Sequence, residues 1–259
     1  MNTATLFELP RLPLPVRVLF TGYLLAIGVG LLIAGAQIML THGMADGKPG
    51  LSVDDVVYSY YGNRTNTRLE SALNGSMQGY ASDEDRATLI TWARQGAPIS
   101  DWEPTIQPIV EQNCVACHSN VPGLANFTQV ENLQARAEVD TGQTVASLTR
   151  KSHIHLFGIS MLFFGVGLIF AFARGFDPVF KSLLIAAPFA FLILDVLAWW
   201  LTKMQPGFAW LVMFGGFGYS VASTFMIFAS LYQMWLMRVP ELVAAGSSVN
   251  AQPGTPTAS

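Results

Sequence analysis

Four long apolar runs dominate the sequence, and they cover residues 16–40, 153–173, 182–201 and 208–237. A helix of about 20 apolar residues spans the roughly 30 Å hydrocarbon core of a bilayer. Each run reaches this length, and charged residues inside the runs are rare. The pattern therefore predicts an integral membrane protein with four transmembrane helices.

The polar segment between the first two runs, residues 41–152, is long enough to form one small domain. A capping box that starts at Ser52 predicts a helix over 54–61, and a second start signal predicts a helix over 82–95. Apolar residues at helical spacing predict another helix over 67–80. Since we find no alternating strand pattern, the expected fold class is all-α. We expect these helices to form a small domain outside the cytoplasm, between the first and second transmembrane helices.

The composition and the chain ends agree with a membrane location. Hydrophobic residues make up 51% of the chain, charged residues make up 12%, and the mean hydropathy is +0.40.

Ala34-Gly35-Ala36 resembles a signal-peptidase site, but the apolar run continues to residue 40, which favours an uncleaved anchor. Residues 1–15 are expected to be cytoplasmic. Residues 238–259, rich in Ala, Gly, Ser, Pro and Thr, are expected to form a disordered cytoplasmic tail.

The distribution of Lys and Arg predicts the orientation of the helices. Basic residues lie at the start of the first run, between the second and third runs and after the fourth: Arg11, Arg17, Arg174, Lys181 and Arg238. The connection between the third and fourth runs holds only Lys203. The positive-inside rule therefore puts both termini in the cytoplasm and residues 41–152 in the periplasm of a bacterial cytoplasmic membrane. Trp199 and Trp200 then lie at the outer end of the third run, where they suit an interfacial aromatic belt.

The two cysteines of the chain lie in the stretch Cys114-Val115-Ala116-Cys117-His118. C-x-x-C-H is the attachment pattern of a c-type haem. Two thiols must reach the two vinyl groups of one porphyrin, and the next residue must bring an imidazole to the iron. We therefore predict that Cys114 and Cys117 bind the porphyrin and that His118 is the proximal iron ligand. The alternative is a chance C-x-x-C beside a surface histidine.

The segment Ile106–Ser119, which includes this motif, resembles the haem-bearing segment of mono-haem c-type cytochromes. The resemblance implies a small all-α fold, one covalent haem c and one-electron transfer. The whole chain is also similar to uncharacterised bacterial membrane proteins with a haem-binding outer loop. The chain departs from the cytochrome pattern at the distal iron ligand. Many such cytochromes use a methionine well after the motif as this ligand. Here no methionine occurs between His118 and Met161, which lies in a predicted membrane helix.

The sequence therefore does not identify the distal iron ligand. His153 or His155 could return to the haem, but residues two apart on a helix point in nearly opposite directions, so one of them at most faces it. Met77 is the alternative distal ligand, although its helical spacing favours an ordinary core residue, and Met44 and His42 also precede the motif. A five-coordinate iron is a further alternative. A shallow haem b between His42 and His155 is the less favoured arrangement.

Asp195 is the one carboxyl group inside an apolar run. An ionised carboxylate at such a depth costs about 2–3 kcal/mol or more, so it needs a partner or a proton. His153 or His155, Lys203 and Tyr219 are the candidate partners. The carboxyl group either serves a proton or quinol site near the outer surface or holds helices together as a packing contact.

Three functions fit these features. The favoured one is a membrane-anchored electron-transfer protein within a respiratory chain, rather than a stand-alone enzyme. A quinol-oxidising subunit and a haem-based gas or redox sensor are the alternatives.

Expected partners are membrane lipid, an electron-transfer protein or respiratory complex, and quinol. Residues 41–152 hold 13 acidic and eight basic residues. This acidic surface either is simply solvated, which is the favoured interpretation, or steers a basic partner toward the domain. No basic patch for nucleic acid and no nucleotide-binding motif is found.

Overall fold

The computed structural model describes residues 8–43, 46, 48, 50–119 and 121–237. The helices are α1 (Leu14–His42), α2 (Val53–Tyr60), α3 (Arg68–Asn74), α4 (Asp83–Arg94), α5 (Gln107–Asn113), α6 (Val115–His118), α7 (Val130–Gln134), α8 (Val145–Ala171), α9 (Pro178–Met204) and α10 (Ala209–Trp235). Within the described residues, the β-type pairing is a single isolated bridge between Thr67 and Val139. The predicted all-α class is confirmed.

Four helical segments are long and apolar enough to cross a membrane: Leu14–Leu40, Val145–Ala171, Pro178–Met204 and Pro206–Trp235. The prediction of a multi-pass membrane protein is therefore supported by length and composition. α8 begins eight residues before the apolar run that predicted it. The reason is a local cap, because the Thr144 side chain accepts a hydrogen bond from the Ser147 amide and the helix continues through polar residues.

The chain divides into two compact units, which we describe separately. Within the first unit are Met1–Leu31, Ile159–Ala190 and Gly218–Ser259. Its core includes the fully buried Leu24 and Phe170. The structure does not describe residues 1–7 and 238–259, so the predicted disordered tail lies outside the described residues.

The second unit comprises Leu32–Gly158 and Phe191–Phe217, and it contains the polar segment as a small helical domain. One apolar cluster forms the core of this domain; it consists of Leu69, Leu73, Leu89, Trp92, Ala93, Ala97, Trp102, Ile106, Val110, Phe127 and Leu133. We call it the domain core. Glu70 is buried and accepts a hydrogen bond from Arg94 Nε at 2.9 Å, which ties α3 to α4 beside this core.

The start signals of α2 and α4 act as predicted. Ser52 accepts a hydrogen bond from the Asp55 amide, and the Asp55 side chain accepts one from the Ser52 amide, which completes a capping box. At α4, the Ser82 side chain accepts a hydrogen bond from the Asp85 amide and so caps the helix. The predicted helix over 67–80 is wrong in its second half, because α3 ends at Asn74. Gly75, a poor helix former, follows it and ends the hydrogen-bonded ladder.

The domain also contacts the end of α9 within the second unit. Lys203 Nζ donates to the Thr141 carbonyl at 3.1 Å. The Tyr60 ring stacks on Trp199, with 5.7 Å between ring centroids and 15° between the planes. The segments around residues 60 and 141 therefore connect the small domain to the C-terminal end of α9.

Candidate functional site

The C-x-x-C-H motif forms one helical turn. α6 covers Val115–His118, and the His118 amide donates to the Cys114 carbonyl at 2.9 Å. Both cysteines are free thiols, and a spacing of three residues brings their side chains to the same face of the helix. This arrangement suits the attachment of two thiols to one planar group.

The two thiols differ in their surroundings. Cys114 is half-buried and packs against the domain core, whereas Cys117 is exposed. Burial, followed by the negative charge of Asp85, raises the pKa of the Cys114 thiol above its ordinary value. The Cys114 thiol is therefore neutral at neutral pH, which suits its apolar environment.

The imidazole of His118 is held in one orientation. Its Nδ1 lies 3.1 Å from the Ala125 carbonyl oxygen, which can only accept, so Nδ1 carries the hydrogen. The ring also stacks on Phe127, with 4.1 Å between centroids and 12° between planes. Nε2 then has its lone pair available. A backbone carbonyl on the other ring nitrogen is the usual support of an iron-ligating histidine.

Apolar side chains surround the motif at the surface. Val121 is 48% exposed and Leu124 is 47% exposed, on the loop that follows the exposed thiol of Cys117. A porphyrin bound at the motif would offer these side chains an apolar surface. The thiols, the oriented imidazole and the apolar surroundings fit a covalent haem, and the predicted roles of Cys114, Cys117 and His118 stay predictions. Within the described part of the chain, the motif included, no group of three or more His, Cys, Asp or Glu side chains is placed to hold a bare metal ion.

The distal-ligand candidates fall into different surroundings. Met77 is half-buried and packs against the domain core, as Cys114 does. His153 is exposed on α8, and His155 is half-buried against Trp199. Met44 and the side chain of His42 lie outside the described residues, so the haem b alternative stays a prediction.

Asp195 belongs to a second cluster, which joins the C-terminal half of α9 to the N-terminal half of α8. It is 5% exposed, and its Oδ1 accepts a hydrogen bond from Trp199 Nε1 at 3.1 Å. The same indole contacts the His155 ring in an edge-to-face arrangement, with 4.9 Å between ring centroids and 83° between planes. Asp195 and His155 therefore both contact Trp199. Of the other candidate partners, Lys203 donates to Thr141, and Tyr219 packs on Phe163 in the first unit.

The sequence pattern did not indicate the role of Trp199. An interfacial belt was expected there, but the side chain is buried, with 5% exposure, and it joins Tyr60, His155 and Asp195. The four-residue spacing of Asp195 and Trp199 on one helix is a signal that could have indicated their hydrogen bond. The contacts with Tyr60 and His155 depend on tertiary structure.

Comparison with known proteins supports the membrane part of the chain. A family model described as a transmembrane helical domain matches residues 129–241, which include α8, α9 and α10. The match begins after the C-x-x-C-H motif. No curated protein and no solved structure matches the chain. The last three long helices are thus similar to a family of transmembrane helical domains.

Proposed function

We propose that the protein is a membrane-anchored c-type cytochrome that transfers single electrons at the periplasmic face of a bacterial cytoplasmic membrane. One observation carries this proposal. Cys114 and Cys117 lie on a single helical turn, and the Ala125 carbonyl holds His118 so that Nε2 has its lone pair available. A chance C-x-x-C beside a surface histidine has no reason to provide that hydrogen bond.

The residues of the motif have distinct roles in this proposal. Cys114 and Cys117 would hold the porphyrin by thioether bonds, and His118 would ligate the iron. The Ala125 carbonyl and the Phe127 ring keep the imidazole from rotating. A bound haem supplies one-electron redox chemistry, and the protein contributes its position and its surroundings.

Met77 is the distal ligand that the contacts support best. It packs against the same domain core as Cys114, whereas His155 packs against Trp199. It lies outside a regular helix, at the N-cap of the short turn Gln78–Tyr80. Methionine ligation raises the potential of a haem, which suits electron flow toward an oxidant.

Acidic residues next to the motif support a basic protein as the electron partner. The first turn of α4 carries Asp83, Glu84 and Asp85. Asn113, which directly precedes Cys114, donates to Asp85 Oδ2 at 3.2 Å, so these acids lie near the motif. Such a surface would steer a basic electron-transfer protein or respiratory complex toward it.

The proposal is tested by producing the full chain in cells that mature c-type cytochromes. The purified protein should carry haem that survives denaturation, and its reduced spectrum should be of the c type. Exposure of the reduced protein to carbon monoxide should leave that spectrum unchanged if the iron has two protein ligands. Ready binding of carbon monoxide at the resting iron would instead favour the sensor alternative. Protein without covalent haem would contradict the proposal.

A further inference from the structure

Three cationic side chains lie close together beside Thr141, where the small domain contacts the end of α9. Lys203 Nζ donates to the Thr141 carbonyl at 3.1 Å, and Arg68 Nη2 donates to the Thr141 hydroxyl at 3.4 Å. Arg64 Nε donates to the Tyr61 carbonyl at 3.4 Å, and its guanidinium lies over the Tyr61 ring. The positive charges of Arg64 and Arg68 both act on the Lys203 ammonium. We call Arg64, Arg68 and Lys203 the cationic cluster.

The cationic cluster keeps an excess of positive charge. Within the described part of the chain, none of its three members forms an ion pair with a carboxylate. Asp140 also acts on Lys203, but this single carboxylate is buried and its Oδ1 accepts a hydrogen bond from the Gly142 amide at 2.9 Å. Arg68 Nε is buried and has no hydrogen-bond partner among the described residues. The cluster therefore has both charge and N–H donors to offer an anion.

The cationic cluster lies where a membrane-spanning helix ends. Lys203 is the next-to-last residue of α9, two residues after the apolar run ends at Leu201. Leu201 is 36% exposed and Met204 is 78% exposed, and both are close to Lys203 along the helix. Exposed apolar side chains at the end of a span contact lipid tails, whereas cations there reach the headgroups. A ligand with both an acyl chain and an anionic group matches these surroundings.

Phosphate is the anionic group that suits these donors. A guanidinium donates from two N–H groups to two oxygens of one phosphate, and an ammonium adds a point charge. Phosphatidylcholine also has a phosphate, but its headgroup carries a cation that the cluster would repel. Phosphatidylglycerol carries only the negative charge, and its acyl chains hold it in the membrane beside the cluster.

We propose that Arg64, Arg68 and Lys203 bind the phosphate group of an anionic phospholipid at the end of α9. Two of these cations belong to the small domain and the third belongs to the membrane helix. One bound headgroup would thus relieve the repulsion among the three charges and hold the domain at the membrane surface. This binding needs no haem, so it is independent of the proposed function above.

The test measures binding of radiolabelled phosphatidylglycerol to the full-length protein in micelles of a non-ionic detergent, with empty micelles subtracted. We expect saturable binding, and phosphatidylcholine should compete at least about five-fold less well, because each cation near an anionic lipid contributes about 1 kcal/mol. Equal competition by phosphatidylcholine would overturn the proposal. Displacement of the lipid by inorganic phosphate would show that the cluster takes a free anion, which would overturn the lipid assignment.

Two variants that remove one charge each locate the site. Arg68→Gln and Lys203→Gln should each weaken binding about five-fold, which corresponds to about 1 kcal/mol. Lys203→Arg retains the charge and should bind as the unchanged protein does. If neither glutamine variant weakens binding, the proposal is wrong. If Lys203→Arg loses binding as Lys203→Gln does, the charge is not the cause and the proposal is also wrong.

A matched control separates the cationic cluster from the overall charge of the protein. Arg86→Gln makes the same change in charge, but at an arginine of the domain that already pairs with Asp83 at 3.3 Å. It should change binding by less than about two-fold, which is about the scatter of such a measurement. If Arg86→Gln weakens binding as much as Arg68→Gln does, the effect belongs to net charge and the assigned site is wrong.

Discussion

The motif region and the N-terminal half of α8 hold two histidines with the same hydrogen-bond pattern and different neighbours. His118 Nδ1 donates to the Ala125 carbonyl at 3.1 Å, and His155 Nδ1 donates to the Lys151 carbonyl at 2.9 Å. Both rings therefore have Nε2 available as a ligand or acceptor. The carbonyl partner determines only which nitrogen carries the hydrogen, so the neighbours must decide what each histidine does.

The neighbours of the two rings belong to different environments. His118 has two free thiols on its own helical turn and the domain core behind it. His155 has a buried indole, and through that indole the carboxyl group of Asp195. The first set has the groups that a covalently bound haem requires, whereas the second joins a buried carboxyl group to the imidazole through one indole.

The largest expected effect comes from removing both thiols of the motif. Cys114→Ala with Cys117→Ala should abolish covalent haem, because no other cysteine exists in the chain. Pyridine haemochrome spectra and a haem stain of denaturing gels measure this loss. Ala116→Ser, an exposed change in the same turn, should retain the haem. Covalent haem on the double variant would contradict the role of the motif.

A second effect separates the distal-ligand candidates. Met77→Ala should remove the weak red absorption band of sulfur-ligated ferric haem, and Met77→His should lower the midpoint potential, because methionine ligation raises it. His155→Ala should leave both the band and the potential unchanged. If His155→Ala alters the band and Met77→Ala does not, the assignment of the two residues is reversed.

A third effect probes the packing of α9 against α10. A Cβ at Gly215 would lie 2.8 Å from the Cβ of Asp195, and Gly215 is buried. Gly215→Ala should therefore lower the free energy of unfolding by about 1–3 kcal/mol, the usual cost of overpacking. Thermal unfolding in detergent measures it. Gly22→Ala, at an open position, should leave stability unchanged or raise it by up to about 1 kcal/mol, because alanine favours helix.

The smallest effect concerns the hydrogen bond between Asp195 and Trp199. Trp199→Phe removes the N–H donor and should cost about 1 kcal/mol of stability. Asp195→Asn retains an acceptor oxygen, so a packing role predicts a change below about 0.5 kcal/mol. A larger loss in Asp195→Asn, measured in the same unfolding assay, would show that the carboxyl group itself is required.

Local features of the chain predicted much of the fold. The four long helices follow from apolar runs, and the starts of α2 and α4 follow from Ser52 and Ser82. Each of these signals acts within a few residues or along a single helix. The helix predicted over 67–80 was wrong because helical spacing continued past Gly75, where the backbone leaves the helix.

The candidate sites were predictable only in part. The spacing of Cys114, Cys117 and His118 was evident, but the Ala125 carbonyl comes from a loop with no pattern of its own. The contacts of Trp199 join residues from α2, α8 and α9, which are distant in the sequence. Pairings of this kind depend on tertiary packing, and a single sequence contains no local signal for them.

The most direct measurement is the intact mass of the full chain purified from cells that mature c-type cytochromes, followed by peptide mapping. The account predicts the mass of the polypeptide plus one haem, on the peptide that contains Cys114 and Cys117. The mass of the unmodified polypeptide, in cells that load a known c-type cytochrome produced alongside it, would contradict the central claim.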